Sequence, residues 1–294
     1  MAELAALGAA LCWALASLVA ASAARTLGGI AFTRVRMVLV TLMLGAFLAV
    51  VGPTPIAPGD WPLLVVSGVV GIFVGDTALF VCLERLGPRR TAILFSTNAP
   101  FTVALAWVAL GESLSPQAIA GCALVAAGVT IAIVYGKRAG QRHVWESVRG
   151  RLWVGVAIGL LAALGQSVGS LLAKPALEHG TDAVTVAAVR IAAALAALYA
   201  MRLALPGSTR ALAPLTPPLV GRLALSGLLG MALGMTLLLW AFEHGSVGLS
   251  AALSSTTPVL MVPLIWLFSR ERPAAGAWLG AALAVAGAAS IVLR

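Results

Sequence analysis

Charge is the first thing this sequence is short of. Asp, Glu, Lys and Arg make up 10% of its 294 residues, against roughly a quarter in soluble domains. Acidic residues are the scarcer sign, 10 against 19 Lys and Arg. Cysteine is confined to Cys12, Cys82 and Cys122, all inside apolar runs. An odd number so placed argues against a disulfide framework, and no pair has zinc-ligand spacing. The three histidines, His143, His179 and His244, stand in loops or at segment ends, so no metal or catalytic centre is expected of them. A glycine-rich phosphate loop and a Ser/His/Asp set are both missing, and no polar stretch could form a soluble ATP-driven domain. No cofactor is expected.

What is present is apolar: 61% of residues are hydrophobic and the mean hydropathy is +1.04. Apolar runs of about 20 residues, the length that crosses a bilayer core, recur along the chain. The pI near 11.0 would suit a nucleic-acid partner if the basic residues shared one face. They lie between apolar runs instead, where basic residues flank membrane spans, so the expected partner is a lipid bilayer and not nucleic acid. This reads as a multi-pass protein of the cell membrane, the inner membrane if the source is bacterial.

The sequence also repeats. Adding 159 to residue numbers carries 67–135 onto 226–294 without a gap, and about 21 of the 69 positions are then identical. The matches Gly71/Gly230, Glu84/Glu243, Ser96/Ser255, Trp107/Trp266, Glu112/Glu271 and Gly128/Gly287 weigh most, because alanine-rich chains match by chance. Ten spans are expected: 2–24, 30–51, 61–83, 91–110 and 116–135, then 153–174, 183–203, 219–242, 247–268 and 274–293. Ala21-Ser22-Ala23 resembles a signal-peptide cleavage site. Glu3, the lack of an amino-terminal Lys or Arg, and the length of the apolar run favour a retained span.

Sixteen of the 19 Lys and Arg residues fall in or at the mouths of loops that follow odd-numbered spans; the others are Lys174, Arg190 and Arg294. Even loops carry Asp60, Glu112, Glu178 and Asp182. The positive-inside rule then puts odd loops in the cytoplasm and both termini outside. With five spans per half, the halves are expected to be inserted in opposite senses, which is a transporter architecture.

At this point the residues resemble a family. Two five-span halves, a Gly-punctuated third span, a fourth span ending in Gly111-Glu112, a fifth containing Gly121 and Gly128, and an arginine near the second span of each half (Arg36 and Arg190) resemble the drug/metabolite transporter superfamily, and within it the EamA-like ten-span members. The resemblance covers essentially the whole chain. It implies an all-α membrane fold of ten transmembrane helices in two inverted five-helix repeats, 1–135 and 153–294, joined by a connecting loop over 136–152. It also implies a secondary transporter, an exporter of a small organic metabolite such as an amino acid, and not an enzyme. Protons are a candidate coupling ion, and a monomer or homodimer is expected. Many relatives have a basic amino terminus and a basic second loop, whereas residues 1–4 and 52–60 here hold no Lys or Arg. The alternative function is a membrane-embedded enzyme acting on a lipid or lipid-linked substrate. That chemistry calls for paired carboxylates or a His cluster in the membrane, and this sequence offers one Asp.

Candidate site residues come from polar groups in apolar runs. Ser96, Thr97 and Asn98 precede Pro100, and Ser254, Ser255, Thr256 and Thr257 precede Pro258. Proline removes a donor and frees carbonyls, which in lipid must be satisfied by neighbours or face a water-filled cavity. Either these side chains line the substrate path or the hydroxyls bond back to their own helices. Asp76, with Thr77 beside it, is the acidic residue set deepest in a span, and its repeat mate is Met235. It could bind a substrate amine, carry a proton, or pair with Arg190 or Arg36. Trp13, Gln166, Ser167, Ser170 and Trp240 are candidates for aromatic and polar lining. The glycines of the third and eighth spans read either as close packing or as room for a cavity. Glu84, Glu243, Glu112 and Glu271 fall at span ends, where solvated or capping roles are expected.

Overall fold

The computed structural model of the chain describes residues 1–110, 115–135, 147–207, 209–244, 253–254, 256–270 and 272–292. Among them every regular element is helical, as hydrocarbon demands of a chain whose peptide groups have no water to bond. The helices are α1 (Ala2–Leu27), α2 (Gly29–Val51), α3 (Asp60–Leu86), α4 (Pro88–Phe95), α5 (Asn98–Leu110) and α6 (Pro116–Tyr135). They continue as α7 (Leu152–Glu178), α8 (Ala183–Ala204), α9 (217–244), α10 (Thr257–Ser269) and α11 (Ala275–Val292). Among the described residues, α1, α2, α3, α7, α8 and the first 22 residues of α9 are long and apolar enough to cross a membrane. Large apolar side chains such as Leu42, Phe47, Trp61, Leu203 and Leu267 are exposed. A soluble monomer rarely presents so much apolar surface.

Two of the joints are single glycines. Gly28 (φ 82) both ends α1 and starts α2, its N–H reaching the Ala24 carbonyl at 2.9 Å, and Gly87 (φ 80) does the same between α3 and α4. A side chain at such a φ is strained, so glycine turns the chain without a loop. The expected fourth span, 91–110, is not one helix. It divides at Ser96-Thr97 into α4 and α5, because Pro100 cannot donate and its ring crowds the carbonyl of residue 96. The Ser96 N–H is shared between the Ala92 and Ile93 carbonyls, both at 3.2 Å, and Thr97 N–H turns to Leu94 at 3.1 Å.

The ends of the bundle differ in charge. At one end Arg25 donates to Ser147 Oγ (2.7 Å), Arg149 donates to the Arg25 carbonyl (3.0 Å) and Arg34 donates to the Thr209 carbonyl (2.9 Å). Glu84 accepts the Gly29 N–H at 2.7 Å and so caps α2, the capping role expected of it. At the other end Asp182 caps α8, accepting from the Val184 and Thr185 N–H groups at 2.8 and 3.0 Å and bonding Thr54. His179 and Asp60 meet there at 2.8 Å. Burial opposes the charged form of Asp182, but the bonds from Thr185, Thr54 and the Thr185 and Val184 amides outweigh it and hold the carboxyl below its ordinary value.

Inside, Met37 and Val40 of α2, Ile72 of α3, Ile191 and Leu198 of α8 and Met231 of α9 form one apolar cluster. Helix α1 packs on α9, and α7 packs on α3. Helices α6 and α11 touch backbone to backbone: a Cβ at Gly128 would lie 2.6 Å from Ala284 N. Glycine permits that approach where packing, not hydrophobicity, drives helix association in lipid.

Candidate functional site

The site begins with two irregular stretches. Residues Gly68–Asp76 of α3 and Leu228–Leu233 of α9 are π-helical, and adding 159 to 69–74 gives 228–233. A π-helical turn loosens the i→i−4 ladder and is common where a helix must present its backbone. Each stretch lies against an arginine from another helix. A Cβ at Gly71 would be 3.0 Å from Nη2 of Arg190 on α8, and one at Gly230 would be 2.9 Å from Nη2 of Arg36 on α2. Trp13 of α1 donates its indole N–H to the Gly230 carbonyl at 2.9 Å, satisfying a group within the irregular stretch. On α3 the counterpart contacts come from α7: Ser67 Oγ bonds the Gly169 carbonyl, and a Cβ at Gly75 would meet Gln166 N at 3.3 Å.

Between these stretches sit three buried charges: Arg36 (3% exposed), Asp76 (9%) and Arg190 (6%). Arg36 Nη1 lies 3.4 Å from Asp76 Oδ2, and the Arg36 guanidinium carbon is 4.6 Å from the centroid of the Phe80 ring. The carboxylate and the aromatic face together compensate Arg36. Arg190 differs in degree and in partner: Arg36 lacks a hydrogen-bond partner only at Nε, whereas Arg190 lacks one at both Nε and Nη2 among the described residues and has no carboxylate within ion-pair distance there. Two guanidiniums against one carboxylate leave a surplus of one positive charge. A lone charge at the centre of a span costs about 2.5–3.5 kcal/mol on insertion scales, which makes such a group a functional-site hypothesis by default.

Of the pairings open to Asp76, the one observed is with Arg36. Arg36 stands among the membrane-flanking charges in the sequence reading; it is instead buried on the core side of α2. Thr77, next to Asp76, has a buried hydroxyl with no partner among the described residues. The hydroxyls of the proline-linked clusters turn back to carbonyls three residues earlier. Ser96 bonds Ile93 (2.6 Å), Thr97 bonds Leu94 (2.7 Å) and Thr256 bonds Leu253 (2.7 Å). Asn98 is half-buried, and its carbonyl accepts from Ser167 Oγ at 2.9 Å, tying α5 to α7. Ser254 is buried and Ser170 is exposed. Trp240 is 38% exposed and stacks on His244 with ring centroids 4.2 Å apart.

Ser255, Glu112 and Glu271 lie outside the described residues, as do 136–146 of the connector, the start of the expected ninth span and the side chain of Glu243. The structure therefore gathers Asp76 and Thr77 with Arg36, and seats Trp13 on the α9 stretch. Asn98 joins α7 through Ser167, whereas Ser96 and Thr97 bond back within α4. Arg36 and Arg190 enter the sequence reading as possible partners of Asp76 and not as lining residues, and Phe80, an apolar residue in an apolar run, carries no signal there. A separate groove of about 850 Å³ runs between α2, α3 and α8, lined by Leu44, Trp61, Val65 and Ala196 among others. None of the candidate residues lines it, and its apolar walls suit lipid.

Membrane-length helices with an apolar exterior around a buried charged centre define a multi-pass membrane protein. The EamA-like transporter family matches residues 1–134 and 153–293, and the chain belongs to that family. The resemblance to the drug/metabolite transporters thus holds, and the protein is a membrane transporter of small molecules; the family lends no support to the enzyme alternative. A solved structure titled "Crystal structure of protein" aligns over 99% of this chain and 96% of its own with a TM-score of 0.69 and 21% identity, a likeness of fold alone. No curated protein matches the chain.

Proposed function

We propose that the protein is a secondary transporter that exports a small organic metabolite, an amino acid or a related compound, across the cytoplasmic membrane by alternating access. The observation that carries this reading is the match of a transporter family to both halves of the chain. In this reading α1–α6 and α7–α11 supply ten spans, with α4 and α5 together forming one, arranged as inverted repeats over 1–135 and 153–294. The halves rock against each other about a site near the midplane. The paired π-helical stretches and the helix broken at Ser96-Thr97 support it, since irregular backbone is tolerated in a membrane where it lines a cavity. Asp76, Thr77, Asn98, Gln166 and Trp13 line the path, and Asp76 is the candidate proton carrier. The basic end, where Arg25, Arg34 and Arg149 gather, faces the cytoplasm.

Purified protein in proteoliposomes should release a preloaded amino acid or related metabolite faster than protein-free vesicles. No movement of any solute across a broad metabolite screen would contradict the reading. For orientation, Ser147→Cys should react with an impermeant thiol reagent only from the cytoplasmic side.

A further inference from the structure

We infer that Arg190 is the seat of a carboxylate on the transported molecule, so that the substrate is a small organic acid bearing one carboxylate, amino acids included. The inference rests on the transport reading above and adds the substrate class. Its first support is which atoms are unpartnered. Nε and Nη2 of Arg190 have no partner among the described residues, while the residue is 6% exposed. Those two nitrogens form the side-on edge of a guanidinium, the edge that meets both oxygens of a planar carboxylate in parallel hydrogen bonds.

The second support is the comparison with Arg36. Arg36 lies against Gly230 as Arg190 lies against Gly71, but the protein supplies Arg36 with Asp76 at 3.4 Å. The position that the repeat pairs with Asp76 is Met235. In the second half, therefore, the carboxylate has to arrive with a ligand. The third support is charge count. The Arg36–Asp76 pair is neutral as a unit, so one monoanion at Arg190 brings the buried centre to zero, whereas a dianion would leave it negative in a medium that penalises net charge. Gly71 keeps a side chain away from Nη2.

The test uses the full chain, purified in detergent and, in parallel, in proteoliposomes. The probes are amino acids and simple aliphatic and aromatic monocarboxylates, each with its primary amide and its phosphonate analogue. At least one acid should raise the thermal unfolding midpoint and cross the vesicle membrane, with the amide weaker by about tenfold or more, since a charged hydrogen-bonded pair is lost. Arg190→Gln should abolish the preference for acid over amide, and Arg222→Gln, at the basic end, should keep it. Arg190→Lys retains charge without the fork and should bind the acid more weakly than the wild type; it is the variant to read if Arg190→Gln does not fold. Equal binding of acid and amide, a preference that survives in Arg190→Gln, a phosphonate that binds as tightly as its carboxylate, or no midpoint shift with any acid would each overturn the assignment. Movement of neutral or cationic solutes alone would overturn it while leaving transport intact. Acid binding that depends on Arg190, with no movement under an imposed gradient, would uphold the seat and remove the transport reading.

Discussion

Helices α3 and α9 use the same backbone device with different chemistry. Both carry glycines three and four residues apart, both turn π-helical at matching positions, and both meet a guanidinium from another helix. Helix α3 then supplies a carboxylate, Asp76, and α9 supplies Met235. The backbone device serves packing, which both halves need, so it is kept in both. The charge is present once, so Arg36 has a carboxylate partner inside the protein, whereas two Arg190 nitrogens have none among the described residues. The sequence repeat thereby carries one asymmetric polar centre.

The largest expected effect breaks the packing side of this comparison. A Cβ at Gly169 would fall 2.5 Å from the Gly71 Cα, and backbone cannot yield as a side chain can. Gly169→Val should cost ~3 kcal/mol or more and deplete folded protein from the membrane. Gly230→Val presses instead on the Arg36 side chain and should cost ~1–3 kcal/mol, seen as a lower unfolding midpoint. Equal losses would mean that α3 and α9 are held alike.

Removing the charge on one side comes next. Asp76→Asn leaves Arg36 buried without its carboxylate and should destabilise by ~3–5 kcal/mol, with partial recovery in the Asp76→Asn, Arg36→Gln double variant. Denaturant or thermal unfolding of the three proteins measures the coupling. Additive losses would show that the 3.4 Å contact contributes nothing.

Smaller effects sharpen the picture. Trp13→Phe deletes the indole bond to the Gly230 carbonyl and should cost ~1 kcal/mol, read in the unfolding midpoint. Asp182→Ala removes the α8 cap for ~1 kcal/mol. Because the folded protein holds the Asp182 carboxyl below its ordinary value, this contribution is present above pH ~4 and fades as pH falls through the lowered value. Wild type and Asp182→Ala should therefore converge in stability on acidification.

Much of the fold is legible in the sequence because lipid leaves few choices: a run of about 20 apolar residues is a helix. The repeat is legible too, since glycine and tryptophan matches at one offset are hard to reach by chance. The break at Ser96-Thr97 is harder to see, for Pro100 marks a kink without saying whether the helix bends or ends. The site is legible only in part. Asp76 and Arg190 are conspicuous as charges within apolar runs, but Arg36 sits where flanking arginines also sit. Only the 40-residue closure that brings Asp76 to it tells the two apart. The proline-linked hydroxyls admit two fates by sequence, and which carbonyl each one meets is decided by the local turn geometry.

The asymmetry between Arg36 and Arg190 is tested most directly by giving the second half its missing carboxylate. The thermal unfolding midpoint of purified Met235→Asp, with and without a bound organic acid, reads both parts of the claim. The account predicts a ligand-free midpoint at or above that of the wild type, because the introduced carboxylate would answer Arg190, and a loss of the shift produced by acid. A midpoint lowered as by any unpaired buried carboxylate, with the acid-induced shift intact, would contradict it.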